Sequence, residues 1–95
     1  MRPSQALAKN INAVRAIIAR YPVANPRIFG SVARGDDHEG SDVDLLVDRK
    51  EGLTYFDLAG LAEELEKLIG ARFDIATPGA IRRIEHNIAD DLRPI

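Results

Sequence analysis

Two carboxylates stand one residue apart in Asp42-Val43-Asp44, within a stretch that alternates apolar and polar side chains. In a β-strand, side chains at positions i and i+2 point to the same face, with Cα atoms about 6–7 Å apart. Ionised carboxylates this close repel each other, and a divalent cation between them removes the repulsion. Because the ligands are oxygen atoms and the chain has no cysteine, we expect Mg²⁺ or Mn²⁺ rather than Zn²⁺.

A second candidate element, Gly30-Ser31, follows the short apolar run 27–29, with ten residues between Ser31 and Asp42. Glycine lets the backbone approach a ligand closely, and serine supplies a hydroxyl group. Unpaired N–H groups at the start of a helical turn attract anions. The pair therefore predicts a phosphate cradle.

Asp74 is a third carboxylate, on the polar face of segment 72–77. If that segment is a strand beside the Asp42–Asp44 strand, the three carboxylates converge. Three carboxylates can hold two metals about 3.5–4 Å apart, the arrangement used for in-line phosphoryl displacement. Asp74 is then either a metal ligand or the general base for an attacking hydroxyl. A lone acidic residue that points outward from a strand is the alternative.

Two residues near the motif have a binding and a structural interpretation. Arg34 could neutralise phosphate charge, or form a surface ion pair with Asp36 or Asp37. Ser41 could contact the nucleotide, although we expect it to orient the entry into the strand. We expect the other polar residues nearby to be solvated or non-catalytic: Asp36, Asp37, His38, Glu39 and Asp48.

Hydrophobic periodicity predicts the elements that position these groups. We expect a first helix over 7–18 with Ser4 as its N-cap, strands at 27–29, 42–48 and 72–77, a loop over 30–41 with a short helical turn at 31–34, a helix over 55–69 ending at Gly70, and a last helix over 81–92. The order α-β-β-α-β-α predicts an α/β or α+β fold, a small mixed β-sheet packed by helices, in a single domain of residues 1–95.

Composition narrows the classes of function. The chain has 95 residues, a net charge of −2 and 45% hydrophobic residues, which is typical of a globular domain. A general nucleic-acid binder usually has a basic surplus, so strong binding to nucleic acid is not expected. No apolar run is long enough for a signal peptide or a membrane helix. We therefore expect a soluble cytoplasmic protein.

The motif resembles the signature of the DNA polymerase beta-like nucleotidyltransferase superfamily. Residues 28–48, IFGSVARGDDHEGSDVDLLVD, are similar to its minimal nucleotidyltransferase (MNT) branch, and FDIAT at 73–77 resembles the third-carboxylate strand. The resemblance implies that Gly30 and Ser31 bind nucleotide phosphates, that Asp42 and Asp44 bind metal, and that Asp74 is the third carboxylate. It also implies ATP as substrate, with one or two Mg²⁺ ions. Such domains are often antitoxins encoded beside a HEPN-domain ribonuclease toxin.

These observations predict transfer of AMP from ATP to a hydroxyl group, with pyrophosphate leaving. Larger relatives hold the acceptor with a further domain, and the sequence ends at Ile95 without one. We therefore expect a partner to bring the acceptor. The resemblance implies that this partner is a HEPN toxin, in a hetero-oligomer, and that it offers a tyrosine hydroxyl. The alternatives are a non-catalytic antitoxin that neutralises its partner by complex formation, and transfer to a small molecule such as an aminoglycoside or to an RNA end.

Overall fold

Four helices and four strands make up the fold in the computed structural model, which describes residues 1–81 and 91–95. The helices are α1 (Pro3–Lys9), α2 (Ile11–Ile18), α3 (Gly30–Arg34) and α4 (Tyr55–Ile69). The strands are β1 (Val23–Phe29), β2 (Val43–Arg49), β3 (Phe73–Ala76) and β4 (Arg93–Pro94). A 3-10 turn over Pro78–Ile81 follows β3.

The strands form one mixed sheet in the order β3-β2-β1-β4. β1 pairs with β2 and β4 in antiparallel fashion, whereas β2 and β3 are parallel. The predicted fold class, a small mixed sheet packed by helices, is confirmed. The register places Phe29 of β1 opposite Asp44 of β2, and Asp44 opposite Asp74 of β3.

The central strand β2 has two different faces. Val43, Leu45 and Val47 are fully buried in the main core, which is completed by side chains of α2 and α4. Leu46 points to the opposite face, where it packs in a smaller cluster with Phe29, Ala76 and Leu92. The predicted alternation along β2 is therefore confirmed, and Asp44 belongs to the face opposite the main core.

Helix α4 has the predicted bounds because local hydrogen bonds mark both its start and its end. The Thr54 hydroxyl accepts the Asp57 N–H at 3.2 Å, and the Asp57 carboxylate accepts the Thr54 N–H at 3.0 Å. This reciprocal pair satisfies two N–H groups that a helix start leaves unpaired. At the other end Gly70 takes a left-handed conformation and donates its N–H to Glu66 O, as a C-terminal glycine does.

The single first helix of the prediction was wrong in two respects. The segment forms two helices, because Asn10 leaves the helical conformation and its side chain donates to the Ala6 carbonyl at 2.8 Å. Asparagine competes with the helix for backbone bonds in this way. Ser4 is not the N-cap: the helix starts at Pro3, a favoured first position because proline has no N–H to leave unpaired, and Arg2 is the capping position.

The structure also differs from the prediction in the start of β1 and in an additional strand at the end of the chain. β1 starts at Val23, because an irregularity between Ala24 and Arg27 lets the strand pass Pro26. The two-residue strand β4 was not predicted, since so short a segment has no periodicity. Most of the predicted last helix, 81–92, lies outside the described residues. No helix in the described part of the chain is long and apolar enough to cross a membrane.

Candidate active site

Gly30 links β1 to α3 and lies against Asp44. Its φ is +74°, and a Cβ atom built there would stand 2.5 Å from Asp44 Oδ2. Residues with side chains rarely adopt a positive φ, and a Cβ atom at this distance would force the Asp44 carboxylate to shift. Both reasons favour glycine, and the two halves of the sequence motif meet directly in space.

Asp44 and Asp74 are neighbours across the parallel pair of β2 and β3. Asp42 precedes β2 and is separated from Asp44 by the buried Val43. Burial raises the pKa of Asp44, and the negative charges of Asp74 and Asp42 raise it further, while Arg34 lowers it. The structure therefore brings the carboxylates close enough to influence one another. Asp74 is more open, with 53% of its side chain exposed and Arg72 Nε at 3.9 Å from its Oδ1.

The short helix α3 carries Ser31 and Arg34. The predicted helical turn at 31–34 is confirmed, and Ser31 lies in its first turn with a partly exposed side chain. Arg34 forms ion pairs with Asp36 (Nε to Oδ2, 3.2 Å) and Asp91 (Nη1 to Oδ2, 2.9 Å). These carboxylates, Asp36 first, raise the pKa of Arg34. The ion-pair interpretation with Asp36 describes this structure; a phosphate-binding role for Arg34 stays a prediction.

The loop between α3 and β2 is closed by a turn at residues 38–41. The Ser41 hydroxyl accepts the His38 N–H at 3.0 Å, and Ser41 N–H donates to His38 O at 3.0 Å. Ser41 thus has the structural role expected of it, and its contact with a nucleotide stays a prediction. His38 and Glu39 are exposed, as predicted.

The prediction that Asp37 is a solvated loop residue was wrong. Its side chain is fully buried, and its Oδ2 accepts the Ser4 N–H at 2.9 Å. Arg2 Nη1 lies 3.7 Å from Oδ1 and donates to Gly35 O at 3.1 Å. The partners come from the N-terminal helix, more than thirty residues away in sequence, so no local pattern in the sequence could have revealed this site.

Asp42, Asp44 and Asp74 offer the oxygen atoms that Mg²⁺ prefers, and metal binding by them stays a prediction. In the part of the chain that the structure describes, no group of three or more His, Cys, Asp or Glu could hold a metal by itself. Mg²⁺ in phosphoryl-transfer sites commonly binds one or two carboxylates and completes its shell with substrate phosphates and water. Burial is the main cause of the raised pKa of Asp44, and the charges of Asp74 and Asp42 add to it; a bound cation would relieve the repulsion between these charges. Glycine turn, carboxylates and mixed sheet together define a domain of the nucleotidyl-transfer class.

Known proteins resemble this chain in sequence and in fold. The profile of the family described as "Nucleotidyltransferase domain" matches residues 11–94. A protein of Methanocaldococcus jannaschii named "Putative protein adenylyltransferase" is 38% identical over 76 residues, covering 76% of this chain and 82% of that protein. A solved structure described as "Structure of putative minimal nucleotidyltransferase" has a TM-score of 0.84 at 38% identity, covering 97% of this chain and 95% of the other.

A second solved structure, described as "Crystal structure of the toxin-antitoxin with AMP-PNP", has a TM-score of 0.72 at 18% identity and covers 90% of this chain and 71% of that one. At that identity the likeness shows a shared fold. The family match and the 38% identical relatives show more: the chain belongs to the nucleotidyltransferase domain family. It is a nucleotidyltransferase of the minimal type, and the resemblance seen in the sequence is confirmed.

Proposed function

We propose that this protein transfers AMP from ATP, with Mg²⁺, to a tyrosine hydroxyl of a partner HEPN ribonuclease toxin and so acts as its antitoxin. The observation that carries the proposal is the contact of Gly30 with Asp44, in register with Asp74. The names of the relatives support the acceptor class, since one of them, from Thermococcus cleftensis, is named a protein adenylyltransferase. The toxin–antitoxin structure with AMP-PNP supports the partner and the nucleotide, because it has the same fold.

In the proposed reaction, a tyrosine oxygen attacks the α-phosphorus of ATP. A bond forms between that oxygen and phosphorus, and the bond from phosphorus to the α–β bridging oxygen breaks, so that pyrophosphate leaves. The tyrosine proton passes to a base, and Asp74 is the exposed carboxylate next to Asp44 that can accept it. The protein contributes by placing the reactants and neutralising charge, which accounts for most catalysis of phosphoryl transfer.

Gly30 and Ser31 would bind the triphosphate through the backbone at the start of α3, and Arg34 would neutralise charge after leaving an ion-pair partner. Asp42 and Asp44 would hold Mg²⁺, with Asp74 as a third ligand if it is not the base. The cation supplies charge neutralisation at the phosphates.

Incubation of the purified protein with ATP, Mg²⁺ and the toxin encoded beside it tests the proposal. We expect the mass of the toxin to increase by whole AMP units, on tyrosine, and its ribonuclease activity to fall. Asp44→Asn should lower the rate by at least about 100-fold, in line with the loss of one preorganised charge-stabilising group. An unchanged toxin mass with the active wild-type protein would refute protein adenylylation.

Neutralisation by complex formation alone is a second candidate, favoured by two aromatic side chains at the start of α4. Tyr55 and Phe56 are 88% and 89% exposed, and exposed aromatic residues often mark protein contacts. The double variant Asp42→Ala, Asp44→Ala separates the two functions. If the variant still silences the toxin at equal concentration, binding suffices; if it does not, the transfer reaction is required.

A further inference from the structure

We infer that Asp37 is a positioning residue for the proposed metal site: it fixes the loop that places Asp42. This inference rests on the proposed function and assigns a role to a residue that lies between Gly30-Ser31 and Asp42 and belongs to neither pair of motif residues. Its carboxylate connects the loop between α3 and β2 to the first turn of α1. The distance along the chain is 33 residues, so the bond ties together two separate parts of the fold.

The contacts around Asp37 hold the loop between α3 and β2 against the start of α1. Ser4 N–H is one of the N–H groups that the start of α1 cannot satisfy internally, and it donates to Asp37 Oδ2. Arg2 reaches the loop twice, with Nη1 at 3.1 Å from Gly35 O and 3.7 Å from Asp37 Oδ1. Within the described residues, Oδ1 is buried with no hydrogen-bond partner, so the nearby guanidinium charge is its main compensation.

Further hydrogen bonds on both sides of Asp37 leave the segment before Asp42 little freedom to move. Upstream, Gly35 and Asp36 donate their N–H groups to Ser31 O at 2.9 and 3.1 Å. Downstream, the turn at 38–41 is closed by two hydrogen bonds between His38 and Ser41. Asp37 and Asp42 therefore flank one closed turn, and a displacement of the first is transmitted to the second.

The hydrogen bond from Ser4 and the charge of Arg2 hold the buried Asp37 carboxylate in one position. Burial alone would raise the pKa of Asp37, but hydrogen bonds from Ser4 and the charge of Arg2 outweigh it, so the pKa lies below its ordinary value. A buried charge is tolerated only where such partners are fixed. Loss of the carboxylate would leave Ser4 N–H without its acceptor and remove the charge that faces Arg2, so that only the Arg2–Gly35 hydrogen bond would tie the loop to this end of α1.

The consequence is a weaker metal site rather than only a weaker fold. Groups that hold metal ligands in place typically change affinity by about 10–100-fold when removed. We expect Asp37→Ala to raise the Kd for Mn²⁺, measured with a non-hydrolysable ATP analogue, by about tenfold. Asp37→Asn should fall between, because its side-chain oxygen can still accept the Ser4 N–H while the charge facing Arg2 is lost.

Glu39→Gln is the matched control. Glu39 lies in the same loop and also pairs with the N-terminal region, through the Met1 amine at 2.7 Å, but its side chain is 77% exposed. Mn²⁺ binding is followed by electron paramagnetic resonance at a temperature well below each melting transition. A purely structural role for Asp37 would lower the melting temperature and leave the Mn²⁺ affinity of the folded protein unchanged.

The outcomes separate cleanly. A raised Kd in Asp37→Ala, with Glu39→Gln like the wild type, supports the inference, whereas equal affinities in folded Asp37→Ala and wild type overturn it. If Asp37→Ala does not fold, Asp37→Asn and Arg2→Ala replace it, and wild-type affinity in both overturns the inference. If the wild type itself binds no Mn²⁺ with the analogue, the proposed metal-dependent function fails, and the inference fails with it.

Discussion

Gly30 and Asp44 show at the residue scale why the sequence motif needs a fixed spacing. The loop between them must return the chain so that the backbone of Gly30 meets the Asp44 carboxylate without room for a Cβ atom. The antiparallel register, with Phe29 opposite Asp44, enforces this return. A glycine and a carboxylate in contact bring a phosphate-binding backbone and a candidate metal ligand into one site.

Gly30→Ala should damage both the fold and the site. The positive φ alone costs about 1 kcal/mol for a residue with a Cβ atom, and the clash with Asp44 Oδ2 adds to it. Gly70→Ala is the control, because Gly70 has a φ of +80° but nothing within 4 Å of its Cβ position. Urea unfolding should show a larger loss of stability for Gly30→Ala, and Mn²⁺ binding should be weakened only there. Equal losses in both variants would contradict the contact.

Asp44→Asn should stabilise the metal-free protein at neutral pH. The pKa of Asp44 is raised above its ordinary value of 3.8 by burial and by Asp74 and Asp42. The folded state therefore binds the proton of the Asp44 carboxyl group more tightly than the unfolded state does. The stability that this proton contributes is lost as the pH rises through the pKa of Asp44 in the folded state. We expect the variant to be more stable than the wild type at pH 7, with the advantage disappearing near pH 3.8 and below.

The same unfolding measurement with Mg²⁺ tests whether Asp44 contributes to metal binding. The cation with an ATP analogue should raise the unfolding midpoint of the wild type and not that of Asp44→Asn, because only the wild type offers the carboxylate pair. Glu51→Gln, at an exposed position after β2, should match the wild type in both conditions. If Asp44→Asn is less stable than the wild type at pH 7 without metal, the result contradicts a raised pKa of Asp44 in the folded protein.

At the element scale, the sequence predicted the segments whose signals are local. The bounds of α4 and the two faces of β2 followed from periodicity, because each face packs against one environment. The pairing of Asp44 with Asp74 was conditional on a strand alignment that only the tertiary fold decides. The burial of Asp37 could not be predicted, because its polar neighbours in sequence suggest a solvated loop and its partners come from α1.

Thr54→Ala tests whether local capping sets the stability of α4. The variant loses the hydroxyl that accepts the Asp57 N–H, and loss of such a cap costs about 1 kcal/mol. Thr54→Ser keeps the hydroxyl and should stay close to the wild type. Urea unfolding measures both, and AMP transfer by the folded variants should be unchanged, because α4 lies behind the face that carries Asp44. A lower transfer rate in folded Thr54→Ala would contradict this separation.

At the scale of the whole molecule, segments distant in sequence converge on α3 and the loop after it. Arg2 and Ser4 hold the loop through Gly35 and Asp37. On the other side, Asp91 holds Arg34, 57 residues away in sequence. A small domain has a limited core, and long-range polar contacts of this kind fix a loop that hydrophobic packing does not reach. The candidate site is thus assembled by the entire fold rather than by the motif alone.

Asp91→Asn should therefore change nucleotide binding without much effect on the fold. In the structure Asp91 and Asp36 share the guanidinium of Arg34, and a triphosphate must compete with them for it. Removal of the Asp91 charge should lower the Kd for an ATP analogue a few-fold, while urea unfolding changes little, because Arg34 keeps Asp36 as a partner and a partly exposed ion pair contributes little to stability. Arg34→Gln should weaken binding and cancel the gain in the double variant. A Kd that stays unchanged or rises in Asp91→Asn would show that Arg34 does not leave its carboxylate partners for the nucleotide.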